Sequence, residues 1–161
     1  MDLRLGRKLR FNVQEATCSQ IDGRVVVKLA RFSWEMPQLE QETQAYEWIK
    51  DTDIGPAFLA HLTEKGRTIG SVMEHIANAR HAELEDLPLC RAALDRLHKL
   101  GIKYGDVNKH NILIRDEGVT LIDLDCAILY FWEESCSRLS QNFKTFLVEA
   151  GPCWTRASIM T

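Results

Sequence analysis

Tyr104-Gly105-Asp106-Val107-Asn108-Lys109-His110-Asn111-Ile112-Leu113 decides how this chain is read. Asn111 lies five residues after Asp106, and Leu121-Ile122-Asp123-Leu124-Asp125 follows across a short apolar hairpin. An aspartate so placed can accept a proton from an attacking hydroxyl. An asparagine and a second aspartate at the end of an apolar strand offer hard oxygen ligands of the kind Mg²⁺ takes. The plainer role for Asp106 is a turn residue bonding its own backbone. The Gly-Asp-x4-Asn spacing with an apolar strand directly behind it argues for chemistry instead.

Outward from this stretch, Ile112-Leu113-Ile114 and Val119-Thr120-Leu121-Ile122 predict a hairpin across Asp116-Glu117-Gly118. Before it, Leu87, Cys90, Leu94 and Leu97 recur at helical spacing and predict a helix over 86–100 that stops at Gly101. Further upstream, residues 8–18 and 24–29 read as strands joined by the turn Ser19-Gln20-Ile21-Asp22-Gly23. Pro37 opens a helix to about Lys50, closed by Ile54-Gly55-Pro56. Extended pieces follow over 57–63 and 67–76, separated by Glu64-Lys65-Gly66. A last helix over 135–150 would end at Gly151-Pro152. Strands, helix, strands, helix, hairpin and helix in that order make the fold class α+β.

The bulk numbers agree with one globular domain. There are 161 residues, 45% of them hydrophobic and 27% charged. The net charge of −3 gives no electrostatic footprint for nucleic acid or an anionic membrane. The local cluster Arg4, Arg7, Lys8 and Arg10 reads as a solvated strand face. No apolar run reaches the roughly 20 residues of a membrane helix, and the N-terminus lacks the apolar region of a secretory signal. Cys18, Cys90, Cys126, Cys136 and Cys153 show no metal-ligand spacing and read as reduced thiols. A cytoplasmic or nuclear location is the expectation.

Two further residues draw attention on physical grounds. Leu39, Glu42, Tyr46 and Ile49 fall on one helix face, so Glu42 is a carboxylate within an apolar stripe. Such a group needs a cation. Lys28, ending the strand Val25-Val26-Val27-Lys28, is the nearest candidate, although a strand-end lysine can also simply reach into water.

The motif stretch resembles the catalytic and metal-binding loops of the protein-kinase-like superfamily, closest to its compact atypical and aminoglycoside-phosphotransferase-like branch. Those enzymes often read H-G-D-x-x-x-x-N followed by I-D-F or I-D-L. Here Tyr104 takes the His position, and Ile122-Asp123-Leu124 stands where D-F-G is familiar. The resemblance implies a small antiparallel N-lobe sheet with one helix over 1–76. It also implies a strongly reduced helical C-lobe over 77–161. It covers about residues 24–125 and is specific at 105–125.

The same resemblance implies ATP and Mg²⁺ as cofactors. Lys28, at the position of the V-A-I-K lysine, and Glu42 would set the phosphates. Asp106 and Asn111 would be catalytic, and Asn111 with Asp123 would hold the metal. Asp125 is an alternative or additional ligand, because strand alternation puts it on the same side as Asp123. Val72-Met73-Glu74-His75-Ile76 would run into a hinge, with Met73 as gatekeeper. Backbone groups near Glu74 and Ile76 would bond the adenine, and His75 would be an exposed side chain.

The chain departs from the family in three places. No Gly-x-Gly-x-x-Gly precedes Lys28, leaving Leu5-Gly6-Arg7 as the candidate phosphate cover. Asn108 stands two residues after Asp106, where Ser/Thr kinases have lysine, and Lys109 comes one later. Only 36 residues follow Asp125, with no A-P-E.

The expected function is an ATP- and Mg²⁺-dependent phosphotransferase acting on a protein Ser/Thr or small-molecule hydroxyl. The alternative is a catalytically weak pseudokinase, an ATP- or partner-binding module whose protein partner docks on the reduced C-lobe. A plain α+β domain with an accidental motif is the remaining reading. Neither nucleic acid nor membrane is an expected partner, and a minimal or truncated member of the family fits the length.

Overall fold

The computed structural model describes residues 3–130. The predicted helix over 135–150 lies outside them, as do Cys136 and Cys153. The chain divides into two compact units, Met1–Ala77 and Asn78–Thr161. The described part is α+β.

The first unit is a five-stranded antiparallel sheet crossed by one helix. Its strands are β1 (Leu3–Lys8), β2 (Val13–Cys18), β3 (Ile21–Leu29), β4 (Phe58–Glu64) and β5 (Arg67–Glu74), in the order β1-β2-β3-β5-β4. The helix α1 (Met36–Trp48) joins β3 to β4 and lies against β4 and β5. β3 is central, which suits its valine run. Val25 and Val27 are buried with Ala16 and Val72 in an apolar cluster on one face of the sheet. Leu29, Ala60 and Leu62 pack around that cluster. Cross-strand partners share a face, so the pairs Val13↔Lys28, Lys28↔Ser71 and Val26↔Met73 put Lys28 on the opposite face.

Four expectations for this unit need correction. Residues 8–18 do not form one strand. The chain turns over Leu9–Asn12, where the N–H groups of Leu9 and Arg10 both donate to the Val13 carbonyl, at 2.9 and 3.0 Å. A turn closed by a shared acceptor needs no glycine, so the sequence carries no punctuation there. Leu5-Gly6-Arg7 consequently lies inside β1, and the turn next to Lys28 is Leu9–Asn12, whose Asn12 carbonyl accepts the Leu29 N–H at 2.8 Å. The strand expected over 67–76 ends at Glu74. His75 is not an exposed side chain: it is 15% accessible, with Nε2 3.8 Å from the Glu15 carboxylate. Arg7 donates to that carboxylate through Nε and Nη2 at 3.2 and 2.8 Å and holds the Glu15 carboxyl below its usual range.

The second unit contains β6 (Arg80–His81), α2 (Leu87–Lys99), β7 (Ile102–Lys103), β8 (Ile112–Arg115), β9 (Gly118–Leu121) and β10 (Ile128–Leu129). β6, β8 and β9 form one small sheet, and β7 pairs with β10. α2 buries Cys90, Ala93, Leu94 and Leu97 against β7 and β9, as its apolar periodicity predicts. Lys99 and its neighbours Arg96 and His98 sit in the last turn, where cations favour the negative end of the helix dipole. The two-residue strands β6, β7 and β10 are too short to leave a periodic signal.

A fork ties the start of α2 to β6. Arg80 donates through Nη1 and Nη2 to the two Asp86 oxygens at 2.6 and 2.8 Å, and the Glu83 N–H adds a bond at 2.8 Å. The Arg80 guanidinium first, and the Glu83 N–H second, hold the Asp86 carboxyl at about 2. The free carboxyl titrates near pH 4. A depressed folded-state value adds stability above the free value, and that stability is lost as pH falls through the folded one. Asp86→Asn should therefore lower the melting temperature at pH 7. The gap to the unaltered chain should narrow as pH drops from about 4 towards about 2, measured by thermal denaturation across pH.

Cys18 and Cys90 are buried free thiols. Cys126 is disulfide-bonded, so the expectation of an all-reduced set does not hold there. Among the described residues no helix is long and apolar enough to cross a membrane.

Candidate functional sites

In the first unit, Lys28 Nζ lies 2.9 Å from Glu42 Oε2. The Glu42 side chain is 2% accessible and that of Lys28 13%. β3 and α1 bring them together. Leu39, Tyr46 and Ile49 are buried beside Glu42, which is the apolar stripe read from the sequence. An uncompensated carboxylate at this depth would cost several kcal/mol, so the ammonium is a structural necessity. Glu40 and Glu47 are exposed.

Behind the pair, Gly70 lets β5 close up on β3. A Cβ there would overlap the Lys28 carbonyl oxygen. Beside it, Ser71, the cross-strand partner of Lys28, is buried with its hydroxyl unbonded. Val13, Val26 and Met73 complete an apolar strip on the Lys28 face. Val13 and Val26 were not singled out from sequence, although stepping back by two from Lys28 reaches Val26 directly. Met73 is buried between Val26 and Phe58.

The edge expected to meet a base is only partly available. The Glu74 N–H donates to the Ala57 carbonyl at 2.9 Å, and its carboxylate accepts the Ala57 N–H at 3.2 Å. The Glu74 amide is therefore committed. Ile76 is half-buried and follows the strand end, and its backbone makes no hydrogen bond among the described residues.

In the second unit the motif folds as a bracket around Tyr104. Its ring is buried, and its hydroxyl donates towards two carbonyls, that of Ile122 and, at 3.0 Å, that of Asn111. The Ile122 N–H also donates to the Asn111 carbonyl at 2.9 Å. One phenol therefore fixes the residue before Asp123 and the backbone of Asn111 together. Sequence reading placed Tyr104 in the family's His position without giving it this work. The available signal was only a tyrosine two residues after Ile102, whose hydroxyl needs a partner once buried.

Asp106 is half-buried. Its Oδ2 accepts Asn111 Nδ2 at 3.0 Å and Asn108 Nδ2 at 3.1 Å. Among the described residues its Oδ1 carries no hydrogen bond. Asn111 is buried, and its amide is held where Nδ2 serves Asp106.

Asp123 has a left-handed backbone, φ 61°, two residues past the end of β9. The alternation that placed Asp123 and Asp125 on one side therefore does not apply, because the strand stops at Leu121. Leu124 between them is fully buried, and its carbonyl accepts the Ala127 N–H at 3.0 Å in a tight turn. Among the described residues no group of three or more His, Cys, Asp or Glu side chains is arranged as a metal cage. Asn111, Asp123 and Asp125, expected from the sequence to carry a metal, all lie in or just after this motif, between the short helical turn Lys109–Asn111 and the turn that follows β9.

Gly105 gives the Gly-Asp pair a physical reason. Its φ is 88°, and a Cβ would run into the carbonyl of Cys126. Only glycine lets the motif loop lie this close to the turn after Asp125. Gly105→Ala should cost roughly 1–3 kcal/mol from backbone conformation alone, with displacement of the 126 backbone in addition. Urea denaturation reads this directly, and an unchanged midpoint would contradict the contact.

No protein-family model matches this chain, and no curated protein matches it.

Proposed function

We propose that the chain is a protein-kinase-like phosphotransferase that moves the γ-phosphate of ATP to a hydroxyl. The observation that carries this reading is the Tyr104 bracket. It ties the Asn111 backbone to Ile122, the residue before Asp123, while Asn111 Nδ2 donates to the Asp106 carboxylate. Support from the other unit is a buried lysine–glutamate pair joining a central strand to the one helix of a five-stranded sheet.

In this reading Lys28, held straight by Glu42, meets phosphate oxygens as a point charge. Val13, Val26 and Met73 give the base an apolar surface, and the backbone at Ile76 supplies an unused edge. Asn111 and Asp123 would hold Mg²⁺, with Asp125 as an additional donor. Mg²⁺, when bound, neutralises phosphate charge. Asp106 Oδ1 orients the acceptor hydroxyl and takes its proton. The catalysis is positioning and charge neutralisation, without a covalent intermediate. The acceptor is a protein Ser/Thr or a small-molecule alcohol, in a soluble setting.

A second reading, a pseudokinase that binds nucleotide or a protein partner, is favoured by one feature. The Leu9–Asn12 turn next to Lys28 has no glycine, and its Leu9 and Arg10 amides are already spent on Val13. Backbone N–H groups that would cradle phosphates are fewer there. Thermal denaturation of the full chain with ATP, with and without Mg²⁺, tests the nucleotide site common to both. The melting temperature should rise with Mg-ATP and fall back when EDTA is added. No shift under any condition would sink the phosphotransferase reading and the nucleotide-binding form of the second.

A further inference from the structure

We infer that Asn108 is a positioning residue for Asp106, clamping the carboxylate through Oδ2 so that only Oδ1 is presented to the acceptor hydroxyl. The inference rests on the reading of Asp106 as the base, and it gives a purpose to the position where Ser/Thr kinases carry lysine.

The Asn108 side chain works at both ends. Its Oδ1 accepts the His110 N–H at 2.9 Å, capping the short helical turn Lys109–Asn111. That bond decides which way the amide faces, so Nδ2 is turned to Asp106 Oδ2 at 3.1 Å. The Asn108 carbonyl also accepts the Asn111 N–H at 3.1 Å. The turn is therefore locked to Asn108 on both sides, and Asn111 adds the second donor to the same Asp106 oxygen. Two N–H donors on one carboxylate oxygen fix the side-chain torsion and occupy that oxygen's lone pairs. The other oxygen keeps its lone pairs for the substrate. A lysine at 108 could neutralise charge but could not cap His110, and a serine could cap but could not reach Asp106.

That difference makes the test. Asn108→Ser keeps a cap and removes only the arm to Asp106, so melting temperature should stay close to that of the unaltered chain. The kcat for phosphate transfer should fall roughly 10–100-fold, as for a small misplacement of a reacting group, with KM for ATP unchanged. Asn108→Asp keeps the cap but sets a second carboxylate against Asp106, and kcat should fall further. A kcat for Asn108→Ser equal to wild type would overturn the clamp. So would a loss that appears only as a lower melting temperature. Crystal structures of the full chain give a readout without turnover. Asp106 should hold one torsion in wild type and leave it in Asn108→Ser, and an unmoved Asp106 overturns the inference. A wild-type chain that transfers phosphate to no hydroxyl sinks the phosphotransferase reading instead, and the torsions still decide the clamp.

Discussion

Lys28→Met should destabilise the chain by about 3–5 kcal/mol, the usual cost of removing one partner from a buried ion pair. Glu42 is 2% accessible, so loss of the ammonium 2.9 Å away strands its carboxylate among Leu39, Tyr46 and Ile49. Against a typical total of about 5–15 kcal/mol, the loss is large enough to see in any denaturation curve. The double variant Lys28→Met/Glu42→Leu separates stability from function. Replacing a whole buried pair by apolar groups of similar size is often neutral, so most of the stability should return. Mg-ATP binding should not return, because the cation proposed to meet the phosphates is still missing. A single variant as stable as wild type would mean the pair is not formed in solution. A double variant that binds Mg-ATP normally would remove Lys28 from the proposed site.

The second large effect is on rate. Asp106→Asn should lower kcat by about 10²–10⁴-fold, the range for a positioned general base, while Mg-ATP affinity changes little. The substitution is close to isosteric. Its amide oxygen can still accept from Asn108 and Asn111, at the position where Oδ2 sits 3.1 and 3.0 Å from their nitrogens. Its NH₂ then occupies the place of Oδ1 and cannot take a proton. Single-turnover transfer from labelled ATP to an acceptor panel measures this. Undiminished transfer would remove Asp106 from the chemistry, and an equal loss of ATP binding would mean that it acts on the nucleotide.

Much of the layout could be read from the sequence where signals are local. The valine run fixed β3 and put Lys28 at its end. Helical phase put Glu42 in the buried stripe of α1. Apolar spacing gave α2, and turn residues gave the β8–β9 hairpin. What could not be read depended on partners far along the chain or on backbone without side-chain signals. The Leu9–Asn12 turn closes on a shared carbonyl and contains no glycine or proline, so the expected strand over 8–18 ran through it and β1 was missed. His75 is shielded by Glu15, sixty residues earlier in the chain. Strand alternation was carried past Leu121 into Asp123, where the left-handed turn ends it. Glu74 was offered as a base-binding edge, but its amide is taken by Ala57.

Within the motif, residue types were legible and their connections were not. Asp106, Asn111 and Asp123 follow from spacing. Tyr104 as the joint between two loops, and Gly105 as the point of close approach to Cys126, follow only from coordinates. Both show how backbone contacts tie this short stretch together.

The central proposal is that the motif loop of the second unit, with Asn111 and Asp123, binds a nucleotide-bound metal. Paramagnetic relaxation in the full chain tests it most directly, with Mn²⁺-ATP in place of Mg²⁺-ATP. The amide signals of Asn111 and Asp123 should broaden most, and excess EDTA should restore both. Broadening scattered over surface acids, with Asn111 and Asp123 untouched, would contradict the account.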